Sequence, residues 1–179
     1  MTVFLSGGAK NGKSTLAQEL AVKLSGEGKR YYVATMEPFG AEARARIARH
    51  RVLRAQKRFE TIECPVGLSR VLLPARGAAL LECLSNLAAN ELYSPAGAGG
   101  EQAALAAVVD GVESLRRQCE ALVVVTGEGF SGGSAYAGDT GTYLRVLAAA
   151  NRALAARADA VCEVACGLPR YYKGEGAAL

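Results

Sequence analysis

Eight residues near the start of the chain, Gly7-Gly8-Ala9-Lys10-Asn11-Gly12-Lys13-Ser14, carry the pattern G-x-x-x-x-G-K-[ST] in full. That spacing suits a nucleoside triphosphate. Glycines let the backbone wrap a phosphate without a clashing Cβ, so successive N–H groups can point inward. A helix opening at the end of the loop adds the positive end of its dipole. Lys13 is expected to reach the β and γ oxygens as a point charge, and the Ser14 hydroxyl to ligate Mg²⁺. The expected nucleotide contacts are Gly7, Gly8, Ala9, Lys10, Asn11, Gly12, Lys13 and Ser14. Such a metal also needs an acidic side chain at the end of a neighbouring strand. Glu82, after Ala-Leu-Leu, and Glu128, after Val-Val-Val-Thr-Gly, both qualify. Glu82 is flanked by Leu81 and Cys83, where a solvated glutamate is less natural, and it is the expected catalytic and metal-binding carboxylate.

A second group of reactive residues follows. Between Arg44 and Arg58 lie seven of the 21 Lys and Arg, together with His50, the only histidine. So much positive charge in one short stretch implies an anionic partner, although arginines also serve as the solvated face of a helix. Nucleic acid is not expected, because no aromatic residue interleaves with these arginines to stack on bases. On a helix, Arg46 and Arg54 lie four residues either side of His50 and share its face. Nearby cations disfavour the protonated imidazole and keep a lone pair available.

The elements that must position these groups alternate between strand and helix. Apolar runs predict strands at Thr2–Ser6, Tyr31–Thr35, Phe59–Ile62, Ala78–Glu82, Ala121–Thr126 and Ala160–Ala165. Helical spacing predicts helices at Ser14–Leu24, Ala41–Lys57, Cys83–Leu92, Glu101–Cys119 and Tyr143–Arg157, with a short one after Pro65. Tyr93–Gly100 reads as a mobile loop. Gly127–Gly141, with six glycines in fifteen residues, reads as another long loop. The alternation argues for an α/β fold of the P-loop NTPase (RecA-like) kind, with a mostly parallel sheet and helices on both faces.

Composition agrees with this reading. The 179 residues suit one domain, taken as 1–179, and half of them are hydrophobic, which excludes global disorder. No apolar run approaches the roughly 18 residues of a membrane helix. The first residues lack a basic leader and enter the phosphate loop at once, so a cytoplasmic protein is expected. The five cysteines form no C-x-x-C pair and read as reduced, mostly buried thiols. Cys162 and Cys166 are a weak zinc signal only.

The phosphate loop alone leaves small-molecule kinases, switch GTPases and RecA-like ATPases open, although no N-K-x-D guanine motif is present. A wider set of residues narrows the choice. Ala34-Thr35-Met36, Arg46-Ile47-Ala48-Arg49-His50 and Phe59-Glu60-Thr61-Ile62-Glu63 accompany the loop. Further along come Leu80-Leu81-Glu82-Cys83-Leu84 with Asn90, Val124-Val125-Thr126 with Glu128, Asn151, and Gly167-Leu168-Pro169 with Lys173. In this order the chain resembles the bifunctional adenosylcobinamide kinase / adenosylcobinamide-phosphate guanylyltransferase family of cobalamin biosynthesis.

The resemblance implies two reactions. A nucleoside triphosphate, ATP or GTP, phosphorylates adenosylcobinamide. GMP from GTP then passes through a covalent guanylyl-histidine onto that phosphate. By resemblance His50 is the nucleophile, Thr35, Arg46, Arg54 and Glu63 join the nucleotide contacts, and the protein is a homotrimer. The chain departs from the family's pattern in several places. Gly127-Glu128-Gly129-Phe130 stands where the family has N-E-V-G. Tyr143-Leu144-Arg145 lacks the family's Arg-Asp pair. A kinase for another small alcohol, or a member with one activity, is the alternative.

Overall fold

The computed structural model describes residues 1–37, 48, 56–127 and 138–174. Among the described residues, seven strands form one sheet in the order β3-β2-β4-β5-β1-β6-β7. They are β1 (Thr2–Ser6), β2 (Lys29–Ala34), β3 (Glu60–Glu63), β4 (Gly77–Glu82), β5 (Ala121–Val125), β6 (Ala160–Ala165) and β7 (Leu168–Lys173). All neighbours run parallel except β6 and β7. The α-helices described are α1 (Lys13–Ser25), α2 (Leu84–Tyr93), α3 (Glu101–Gln118) and α4 (Gly138–Arg157).

The sheet is covered on both faces. Alternate residues of each strand point to opposite sides, so Tyr31 and Val33 of β2 join one core while Tyr32 and Ala34 join the other. The first core also takes Phe4, Leu81, Leu122 and Val124 and packs under α2, α3 and α4. The second takes Val3, Leu5, Leu80 and Val123 and packs under α1 through Ala17, Leu20 and Ala21. Strands buried on two sides read as continuous apolar runs, and β5 (ALVVV) is buried at every position. Glycine and charge set the helix ends. α1 stops at Gly26, whose φ is 51°, and α3 has Glu101 in its first turn and Arg116 and Arg117 in its last, complementing its dipole.

Several expectations need correction. Leu168–Lys173 is a strand that the sequence pattern did not signal, and it folds back antiparallel on β6. The helix expected from Tyr143 begins at Gly138, inside the stretch read as a glycine-rich loop. The short helix after Pro65 is a single 3-10 turn, Leu68–Arg70. Tyr93–Gly100, read as mobile, is tied to α2. The Ser94 N–H donates to the Asn90 carbonyl, the Gly99 N–H to the Glu91 carbonyl, and the Ala98 N–H to the Glu91 carboxylate. Most of the expected basic helix Ala41–Lys57, and most of Gly127–Gly141, lie outside the described residues.

Candidate active site

The phosphate loop leaves the end of β1 between β5 and β6 and runs into α1. At its start, Gly7 has φ 143°. Gly12 caps α1 in a left-handed conformation, and its carbonyl accepts N–H groups from Thr15 and Leu16. The helix has no side-chain cap and no acidic residue in its first turn. Its leading N–H groups therefore face no competing carboxylate from their own turn, as an anion site requires. The turn between β6 and β7 braces the loop from below, where the Gly167 N–H donates to the Asn11 carbonyl at 3.1 Å. Lys13 folds back so that its ammonium donates to the Gly8 carbonyl.

Glu82 ends β4 and meets this loop directly. The Ser14 hydroxyl donates to one carboxylate oxygen of Glu82, and the Tyr32 hydroxyl donates to the other at 2.8 Å. Ser14 and Glu82 thus meet across 68 residues of sequence. The strand order explains the meeting. Glu82 points to the same face as Leu80, the face that α1 covers, and β2 lies beside β4 with Ala34 opposite Glu82. A hydroxyl and a carboxylate converging at the first turn of α1 are the hard oxygen donors that Mg²⁺ favours.

The remaining site residues fall in different places. Thr35, expected to contact nucleotide, is fully buried. Its hydroxyl accepts the Cys83 N–H at 2.7 Å and donates to the Cys83 carbonyl at 2.8 Å, so it fixes the chain just after Glu82. Glu63 ends β3 opposite Ala34 and is exposed. His50, Arg46, Arg54 and Glu128 lie outside the described residues.

Sequence reasoning missed three supports. Tyr32 reads as one more apolar position of a buried strand, yet it carries a hydroxyl to Glu82. Asn90 donates from one amide nitrogen to the Thr35 carbonyl at 2.7 Å and the Pro65 carbonyl at 2.9 Å. It therefore clasps the chain on both sides of the stretch that contains His50. Glu91 is a buried glutamate on α2, and its carboxylate accepts the N–H groups of Gly67 at 2.7 Å and Ala98 at 3.0 Å. A buried carboxylate without donors would be costly, so these bonds fix the loops around α2. Asn90 stands among the residues that carry the family resemblance, but without a role, and the signal for Glu91 is the Gly- and Pro-rich stretch that follows it.

Burial pushes the Cys83 thiol above its usual range, the nearby Ser85 hydroxyl pulling the other way. Cys162 is buried and Cys166 exposed, and among the described residues no group of three potential metal-ligating side chains of His, Cys, Asp or Glu occurs.

Two solved structures are similar in overall shape. The flagellar accessory protein FlaH from Methanocaldococcus jannaschii is 12% identical, with 97% of this chain and 78% of that chain covered and a TM-score of 0.48. The RadB recombinase is 17% identical, with 90% and 73% covered and a TM-score of 0.45. No curated protein matches the sequence. The family described as cobinamide kinase / cobinamide phosphate guanyltransferase matches residues 3–171, which include the phosphate loop, the His50 segment and Glu82, and the chain belongs to that family.

Proposed function

We propose that the phosphate loop and Glu82 carry the kinase reaction of this family member, and that His50 carries its guanylyl transfer. The observation that carries the reading is the contact between Ser14 and Glu82 at the first turn of α1. In the kinase reaction the loop's N–H groups and Lys13 hold the triphosphate of ATP or GTP. Lys13 leaves the Gly8 carbonyl to offset charge on the β and γ phosphates. The alcohol oxygen of the aminopropanol arm of adenosylcobinamide bonds to the γ-phosphorus, the bond to the β-phosphate oxygen breaks, and the alcohol proton is released. Ser14 and Glu82 are the residues that would hold Mg²⁺. Such an ion neutralises phosphate charge that develops during transfer. Thr35 serves this arrangement by fixing Cys83 beside Glu82.

In the guanylyl reaction an imidazole nitrogen of His50 bonds to the α-phosphorus of GTP, and pyrophosphate leaves. A phosphate oxygen of adenosylcobinamide phosphate then bonds to the same phosphorus, and the histidine is freed. Arg46 and Arg54 are suited to stabilising charge on the triphosphate. Asn90 ties together Thr35 and Pro65, which flank this stretch in the sequence.

The chain is taken as one domain, acting in the cytoplasm as a homotrimer. The outer strand β7 supports assembly. It ends the sheet, it is exposed along most of its length, and it presents Leu168 and Tyr172. Incubation with adenosylcobinamide and ATP should add one phosphate to the corrinoid, read by mass. With GTP the product should gain the GDP moiety. A corrinoid of unchanged mass under both conditions refutes the proposal.

A further inference from the structure

Tyr32 is in an unusual position for a buried tyrosine. It sits at 3% exposure on the α1 side of the sheet, beside the functional site and within a core of Val, Leu and Ala. Its ring packs edge-on against Phe59, with centroids 6.1 Å apart and planes at 84°. That contact fixes the ring and so fixes the direction of its hydroxyl. The hydroxyl donates to the Glu82 oxygen that Ser14 does not use. Each carboxylate oxygen of Glu82 thus has its own donor, one from α1 and one from β2.

We propose that Tyr32 is a positioning residue that locks the rotation of the Glu82 carboxylate, keeping one oxygen turned towards Ser14 so that a divalent cation meets a preset pair of oxygens. The inference rests on the reading of Ser14 and Glu82 as the metal-binding pair. A glutamate has three side-chain torsions, and a carboxylate held at one oxygen only can still swing about that contact. The second donor removes this freedom before any metal or nucleotide arrives, and ordering that is already in place is not charged against binding. The donor is neutral, so it orients Glu82 without competing with the cation for its charge. Phenylalanine would fill the same space against Phe59 and lack only the oxygen.

The test compares nucleotide binding with and without metal, by calorimetric titration of GTP in excess Mg²⁺ and in excess EDTA. Three variants are used: Tyr32→Phe, Glu82→Gln and Phe59→Leu. Tyr32→Phe should weaken binding of the magnesium–GTP complex about tenfold, the size of a lost hydrogen bond to a charged group. It should leave metal-free GTP binding within about twofold. The Mg²⁺ concentration giving half-maximal kinase turnover should rise in parallel. Phe59→Leu loosens the ring but keeps the hydroxyl, so it should show a metal-selective loss smaller than that of Tyr32→Phe. Equal losses with and without Mg²⁺ in Tyr32→Phe, or no loss in either, would overturn the inference while a metal-selective loss in Glu82→Gln upholds the metal-binding pair. A Glu82→Gln protein with unaltered metal dependence would overturn the pair itself, and the role of Tyr32 with it.

Discussion

A Cβ added at Gly7 would lie 2.4 Å from the carbonyl oxygen of Val164. The first turn of the phosphate loop therefore rests on the end of β6, backbone against backbone. No side-chain rotation can relieve that approach, because the atom it meets is main chain.

Gly7→Ala should accordingly displace the loop or β6. The substitution also forces φ 143° on a residue with a side chain. The expected cost is about 1–3 kcal/mol of stability, with nucleotide affinity falling as the loop shifts. Gly26→Ala is the matched control. It too has a positive φ, 51°, but an added Cβ meets nothing within 4 Å. Thermal unfolding and GTP titration of both variants decide the matter. Equal behaviour of the two would show that the contact with Val164 is unimportant.

Lys13→Ala should abolish kinase turnover while the protein stays folded. Among the described residues the side chain's hydrogen bond is to Gly8, within its own loop, so little of the fold depends on it. Loss of a charge contact to the transferring phosphate costs on the order of 3 kcal/mol or more, over a hundredfold in rate. Turnover near that of the unaltered protein would refute the assignment of this loop to catalysis.

The legibility of the site in the sequence follows the range of the interactions. The phosphate loop could be read because its pattern is local, and its chemistry depends on backbone shape that glycine spacing dictates. Glu82 could be placed because an apolar run ending in an acid is itself a local signal. Tyr32 could not be assigned a role, since its partner lies on a neighbouring strand and only the order β2-β4 brings them together. The strand β7 escaped because Leu-Pro-Arg-Tyr-Tyr-Lys is mostly exposed on both faces, so no alternation of period two marks it. The start of α4 was hidden by Gly138 and Gly141, which read as loop, although Gly141 is buried on the helix's inner face. Glu91 escaped because a charged residue on a helix reads as solvated until its N–H donors are seen.

The buried thiols set an alkaline limit to stability. Burial pushes the Cys64 thiol up to about 11 and the Cys119 thiol up to about 12, from an ordinary value of 9.0. In the unfolded chain these thiols ionise near 9, and in the folded protein they do not. Their contribution to stability is fully present below about 9 and is lost as pH rises from there through 11 and 12. The urea midpoint should fall over that window. Native alkylation at pH 8 should reach exposed Cys166 well before buried Cys64 and Cys119. A midpoint that holds steady from pH 8 to pH 11, in the absence of alkylation, would contradict this account.

The guanylyl step offers the most direct test of His50. Incubated with GTP labelled at the α-phosphate, the protein should retain label through denaturation. With γ-labelled GTP it should retain none on His50, because pyrophosphate leaves. A phosphorus–nitrogen bond to imidazole should be lost in acid and survive alkali, the reverse of an acyl phosphate on Glu82 or another carboxylate. His50→Asn should take no α-label yet still phosphorylate adenosylcobinamide, since Lys13, Ser14 and Glu82 remain. Lys13→Ala should lose the corrinoid phosphate and the guanylyl label with it, so His50→Asn is the variant that separates the two reactions. Label that persists in His50→Asn places the nucleophile elsewhere, and an unlabelled wild-type protein with an intact kinase reaction leaves this chain with one activity of the two.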